Sequence, residues 1–98
     1  MSTHARHRID EVIHSPVRLS IVGALARVEQ AEFGLVRDAI EVSDSVLSKQ
    51  VALLEQAGYV KVKKGYVGKR PRTWLSLTRQ GFAALEEHKA ALRAIAGD

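Results

Sequence analysis

The residues with the clearest potential for chemistry are cations gathered in one part of the chain. No Asp or Glu lies between Glu55 and Glu86, but seven basic residues do: Lys61, Lys63, Lys64, Lys69, Arg70, Arg72 and Arg79. This segment carries +7 in a 98-residue chain whose formal net charge is +4, so the remainder of the chain carries −3. Such segregation of charge indicates a surface that faces a polyanion.

A segment with polar side chains on one face precedes these cations, and both of its ends carry helix signals. Ser43 is a candidate N-cap, and Gly58 supplies a left-handed stop. At 100° per residue the apolar face contains Leu47, Val51 and Leu54, and the opposite face contains Ser45, Ser48, Lys49 and Ala52. Small polar side chains with one lysine suit entry into the major groove of DNA, where base edges offer hydrogen-bond donors and acceptors.

The simplest alternative for this face is a solvated surface, since most polar helix faces contact only water. The basic segment that follows favours nucleic acid. We therefore predict that helix 43–57 reads the major groove and that residues 63–72, here called the wing, contact phosphates or the minor groove. The predicted DNA-binding residues are Ser43, Ser45, Ser48, Lys49, Lys63, Lys64, Lys69, Arg70 and Arg72.

The elements that must position these residues follow from local signals. Ser15 and Pro16 predict a helix start, and the apolar spacing continues to about Val28. A compact helix is predicted over 33–40, with Phe33 in or next to a brief strand. From Tyr59 the apolar period changes to two, which predicts antiparallel strands on either side of a long hairpin loop over 64–71.

Thr78 is the predicted cap of a final helix. The order helix, helix, capped helix, basic hairpin, helix predicts a mainly α fold with a small β-hairpin, an α+β winged helix-turn-helix. We expect one such domain over 9–98, with terminal helices for dimerisation, and a flexible basic tail over 1–8.

Residues 47–81, which read LSKQVALLEQAGYVKVKKGYVGKRPRTWLSLTRQG, resemble small winged-helix transcription regulators of the MarR and ArsR families. Residues 15–22, SPVRLSIV, resemble the opening helix of ArsR-like repressors. The resemblance implies a homodimer that reads an operator, with Ser45, Ser48 and Lys49 near the bases and Lys69, Arg70 and Arg72 on the wing. Repression is the expected outcome of binding.

Several chemistries are not expected from these residues. The absence of cysteine excludes disulfides, thiolate nucleophiles and cysteine-rich metal sites. The last helix offers His88 alone, unlike the ligand sets of ArsR-type metal sensors, so we expect no metal, no cofactor and no enzyme activity. The short flanking helices give no basis for inferring a small-molecule effector.

The partners expected from the sequence are double-stranded DNA and a second copy of the chain. Predicted dimer contacts are the apolar residues near both ends: Ile9, Val12, Ile13, Leu85, Leu92 and Ile95. The chain shows no export signal or membrane segment, so a cytoplasmic location is expected. The alternative from another class is a winged helix that binds an acidic protein without DNA readout.

Overall fold

Four α-helices and a three-stranded antiparallel sheet make up the fold in the computed structural model, which describes residues 3–97. The sheet has the order β1-β3-β2, with β1 at one edge. A short 3₁₀ helix at Ala5–Arg8 comes first, followed by α1 Pro16–Leu25, β1 Ala31–Glu32, α2 Phe33–Ala39, α3 Asp44–Gln56, β2 Val60–Val67, β3 Arg70–Leu77 and α4 Arg79–Ala96. The predicted α+β winged-helix class is confirmed.

The helices begin where the sequence predicts caps. The hydroxyls of Ser15, Ser43 and Thr78 each accept a hydrogen bond from the backbone N–H three residues further on. Each bond satisfies one N–H that a helix start leaves unpaired. α1 ends at Leu25 and is shorter than the helix to Val28 that the periodicity predicts.

The core lies between α1, α3 and the inner face of the sheet. Leu47, Val51 and Leu54 are buried along one side of α3, as predicted. They belong to one cluster with Leu25 of α1 and Leu75 of β3. Truncation of a fully buried leucine such as Leu54 to alanine typically costs about 2–5 kcal/mol of stability. The packing of this cluster therefore holds the apolar side of α3 against α1 and the sheet.

The hairpin differs from the long loop predicted over 64–71. Ladder pairing continues to Val67 and Arg70, so the turn contains only Gly68 and Lys69. Gly68 has a φ of 64°, which suits the first central position of a type II′ turn. Pro71 pairs with Tyr66 inside β3, and β1 reaches only Leu75 and Trp74, so the Pro71 stretch is free of β1. A proline tolerates such a position because its missing N–H faces no neighbouring strand.

The N-terminal segment packs on its own chain. Ala5–Arg8 forms the 3₁₀ helix and contacts α4, and Met1 and Ser2 lie outside the described residues. The flexibility expected of the tail over 1–8 stays a prediction. Ile13 and Leu85 are 0% and 4% exposed within the single chain. The expectation that these two meet a partner is therefore wrong in this conformation, because the core of their own chain already covers them.

The remaining predicted dimer residues are more accessible. Ile9, Val12 and Leu92 are half-buried, and Ile95 is exposed. Over residues 3–97, no helix combines the length and the apolar character that crossing a bilayer requires.

Candidate nucleic-acid interface

α3 presents a continuous polar face to solvent on the side opposite its buried leucines. Ser45, Ser48, Lys49 and Ala52 are all exposed, and the capping Ser43 is exposed beside them. The Ser43 hydroxyl accepts a hydrogen bond from the N–H of Val46 and lies 3.2 Å from the hydroxyl of Ser45. Small side chains at these positions allow close approach of another molecule to the helix backbone.

Two arginines from neighbouring helices brace α3. Arg37 near the end of α2 donates through Nη1 to Oδ1 of Asp44, the first residue of α3, at 2.8 Å, and through Nε to Asp38 at 2.9 Å. Asp38, with Asp44, raises the pKa of the Arg37 guanidinium, and Arg37 lowers the pKa of Asp38. Arg18 of α1 donates to Oε1 of Gln50 in α3 at 2.7 Å. The exposed face is therefore held on a helix that is fixed on its other sides.

A groove of about 440 Å³ separates α3 from the hairpin. Ser48 and Ala52 line it from the helix, and Lys64 and Thr73, which pair across β2 and β3, line it from the sheet. The side chains of directly paired residues point to the same face, so Lys64 faces α3. The alternation places Lys63, Arg70 and Arg72 on the other face of the hairpin. The wing thus carries cations on both faces, and Lys69 adds one at the turn.

Arg72 does not have the free charge that the sequence suggests. Its Nε lies 3.3 Å from Oε1 of Glu32 in β1. Both side chains are about one-third exposed, at 31% and 32%. The sequence has no acid between Glu55 and Glu86, but the sheet brings Glu32 next to Arg72. Lys63, Lys64, Lys69 and Arg70 are exposed.

A second polar network joins the N-terminal segment to α4 and to the end of α3. Asp10 accepts hydrogen bonds from the N–H groups of Val12 and Ile13 and from the hydroxyl of Tyr59. The bond to Asp10, with burial, raises the pKa of Tyr59 to about 12. The N–H of Asp10 donates to Nδ1 of His88, a fully buried histidine on α4. This network locks residues 10–13 against the domain.

Sequence reasoning missed Glu32, Arg37 and the partners of Asp10. Glu32 and Arg72 are 40 positions apart, and Asp10 and His88 are 78 apart. Only the sheet register and the helix packing bring them together. One local signal was available for Asp10, because a side chain that accepts from the N–H groups two and three residues later is typical of a turn-forming Asp. Among the described residues, no group of three or more His, Asp or Glu is arranged to hold a metal ion.

Comparison with known proteins identifies the fold as a DNA-binding one. The family described as Winged helix DNA-binding domain matches residues 17–96. The uncharacterized protein MJ0432 of Methanocaldococcus jannaschii is 27% identical over 78 residues, which cover 80% of this chain and 85% of that protein. A transcriptional regulator homologue from Pyrococcus horikoshii has a similar structure, with a TM-score of 0.85, 25% identity, and coverage of 94% of this chain and 92% of that one.

A more distant structure is the transcriptional regulator MOSR of M. tuberculosis, solved in complex with DNA. Its TM-score is 0.72 at 16% identity, and the match covers 93% of this chain but 65% of the MOSR chain. At 16% identity, this similarity shows a shared fold only. The family match, the fold and the similarity to the Pyrococcus horikoshii protein agree with the resemblance seen in the sequence. The chain belongs to the winged-helix DNA-binding family and is a DNA-binding transcription regulator.

Proposed function

We propose that this regulator recognises a specific duplex sequence by placing the exposed face of α3 in the major groove. The observation that carries the proposal is that Ser45, Ser48 and Lys49 are exposed on a helix whose opposite face is buried. A helix fixed in this way presents its side chains without further ordering, which lowers the entropic cost of binding. Hydroxyl and ammonium groups can hydrogen-bond to base edges.

In this proposal the wing contributes affinity for any duplex, and α3 discriminates between DNA sequences. The sheet sets the position of the hairpin, whose turn has two residues. Four cations are exposed on this hairpin: Lys63, Lys64, Lys69 and Arg70. Contacts between cations and phosphates do not depend on sequence and weaken with salt. Base contacts in the major groove add discrimination of about 1–3 kcal/mol each.

We also propose that the regulator acts as a homodimer. The accessible apolar residues Ile9, Val12, Leu92 and Ile95 remain candidates for the contact between copies. In a symmetric dimer on adjacent major grooves, the two α3 helices would be about 34–36 Å apart. Repression stays a prediction, and its test is the effect of the chain on transcription from a promoter that contains the selected sequence.

Selection of bound duplexes from a random pool tests these proposals together. A palindromic consensus with half-sites one helical turn apart is expected for a dimer that reads two major grooves. A consensus without symmetry would contradict the proposed dimer, but it would still support sequence recognition by α3. If no consensus is recovered and the chain binds duplexes no more strongly than an acidic protein, the alternative is favoured: a winged helix that binds an acidic protein without DNA readout.

A further inference from the structure

A second pocket adjoins the groove beside α3, and two arginines line it. This pocket of about 320 Å³ lies between the start of α2 and the wing, with Arg37 on one side and Arg72 on the other. Asp44 and Thr73 line both this pocket and the groove beside Ser48. The groove and the pocket therefore adjoin each other at these two residues.

Each arginine is held by a carboxylate that also lines the pocket. Arg72 Nε lies 3.3 Å from Oε1 of Glu32, and Arg37 Nη1 lies 2.8 Å from Oδ1 of Asp44. The arginine side chains are 31% and 35% exposed. Ion pairs with this degree of exposure are weak, since water and salt screen them, so an incoming anion can compete for the guanidinium groups.

The two guanidinium groups retain donors for such an anion. Each group has five N–H bonds. The hydrogen bonds of Arg37 to Asp38 and Asp44 use Nε and Nη1. Arg72 donates through Nη1 to the carbonyl of Pro71, and its Nε faces Glu32 in the ion pair. Within residues 3–97, no hydrogen bond or ion pair uses Nη2 of either side chain, so this group is available to another acceptor. Arginine binds phosphate oxygens well because several N–H bonds lie in one plane.

We propose that Arg37 and Arg72 bind one backbone phosphate of DNA in this pocket, and that Glu32 and Asp44 hold the two guanidinium groups in place in the unbound protein. The inference rests on the proposed placement of α3 in the major groove. It adds Arg37, a residue outside the predicted wing, to the interface. It also makes Glu32 a competitor of the phosphate, so the carboxylate of Glu32 opposes binding.

Neutralisation of Glu32 gives the sharpest test. Glu32→Gln removes the competing charge and should increase affinity for every duplex by about two- to fivefold, the scale of an exposed ion pair. Glu86→Gln is the matched control: it changes the net charge equally and also breaks an ion pair, with Lys89 at 3.1 Å on α4. A general charge effect would raise affinity equally in both variants. In an Arg72→Ala background, Glu32→Gln should lose its effect.

The number of phosphates is tested by the salt dependence of binding. If both arginines share one phosphate, the Arg37→Ala/Arg72→Ala double variant should lower the slope of log affinity against log salt by about one. A decrease of about two would mean that they contact separate phosphates and would overturn the shared site. Circular dichroism and thermal unfolding would verify that each variant folds. If Arg37→Ala does not fold, the comparison of Glu32→Gln with Glu86→Gln still decides the proposal.

The outcomes separate this inference from the proposed function. If the parent chain selects a consensus but Glu32→Gln binds no better than Glu86→Gln, the phosphate pocket is wrong and the readout by α3 stands. Failure of the parent chain to bind any duplex would contradict both.

Discussion

Glu41 and Gly58 occupy equivalent positions at the ends of α2 and α3, and both have a left-handed backbone, with φ values of 59° and 83°. At each end, the residue that follows donates its N–H to the carbonyl five positions back: Val42 to Arg37, and Tyr59 to Leu54. This is the Schellman arrangement, in which glycine is usual because it has no Cβ. Within residues 3–97, Glu41 is the one non-glycine residue with a positive φ.

Glu41→Gly should therefore stabilise the protein. The left-handed conformation costs a non-glycine residue roughly 1–2 kcal/mol, and glycine avoids this cost. Glycine also has more conformational freedom in the unfolded chain, which opposes folding by about 0.4–1 kcal/mol. We expect a net gain of about 0.5–1 kcal/mol in urea unfolding. Gly58→Ala is the opposite control and should destabilise, because it introduces the same backbone cost. A loss of stability in Glu41→Gly would contradict this explanation of the α2 end.

Gly81 should tolerate no side chain, because α4 begins close to the turn after α3. A Cβ at Gly81 would lie 2.3 Å from the backbone oxygen of Tyr59 and 2.7 Å from Cδ1 of Leu77. Gly81→Ala should destabilise by at least about 1–3 kcal/mol, the usual cost of overpacking. In α1, a Cβ at Gly23 meets nothing within 4 Å, so Gly23→Ala should gain about 0.5–1 kcal/mol from helix propensity. Thermal unfolding that ranks the two variants in the reverse order would contradict the packing.

The caps show which features can be predicted from the sequence. Ser15, Ser43 and Thr78 act on N–H groups three residues away, so the signal and its effect lie in one short window. The buried face of α3 was predictable for the same reason, since helical period alone separates Leu47 from Ser48.

The hairpin and the ion pairs show what local signals miss. Gly65 and Pro71 are typical turn residues, yet both lie in strands here, because the pairing of β2 with β3 continues past them to Val67 and Arg70. The pairs Glu32–Arg72 and Arg37–Asp44 depend on how the sheet and the α2–α3 turn are arranged. No residue spacing in the sequence specifies that arrangement, so the phosphate pocket could not be predicted.

His88 should make stability depend on pH. Burial lowers its pKa below the ordinary 6.5, the nearby His14 lowers it further, and Asp10 and Glu11 oppose the shift. The unfolded chain therefore binds a proton at a higher pH than the folded chain. The stability associated with neutral His88 is complete above pH 6.5 and decreases as the pH falls from there toward the lower folded-state pKa.

His88→Asn removes this titration and can keep an acceptor for the Asp10 N–H. Its unfolding free energy should change less than that of the parent between about pH 7 and pH 5. His7→Asn, at an exposed position in the 3₁₀ helix, is the matched control for loss of one histidine. If His88→Asn follows the parent profile, His88 is not the source of the acid sensitivity.

Arg70 should contribute affinity without sequence preference. It is exposed, and it pairs with Val67 next to the hairpin turn, within the wing that is predicted to contact phosphates. Arg70→Ala should weaken binding to the selected duplex and to a scrambled duplex by similar factors, and it should lower the salt slope by about one. Anisotropy titrations at several salt concentrations measure both quantities. Unchanged affinity and slope would mean that Arg70 does not touch DNA.

The most direct test of the account is the ranking of operator variants by Lys49→Ala and Ser48→Ala. Affinities would be measured for the selected duplex and for a panel with each base pair changed in turn, with Arg70→Ala as the control for a phosphate contact. If α3 reads bases, Lys49→Ala and Ser48→Ala reorder the panel at one or two positions, where about 1–3 kcal/mol of discrimination is lost, and Arg70→Ala leaves the order unchanged. If both α3 variants retain the parent order across the whole panel, the exposed face of α3 does not read the sequence and the central claim is wrong.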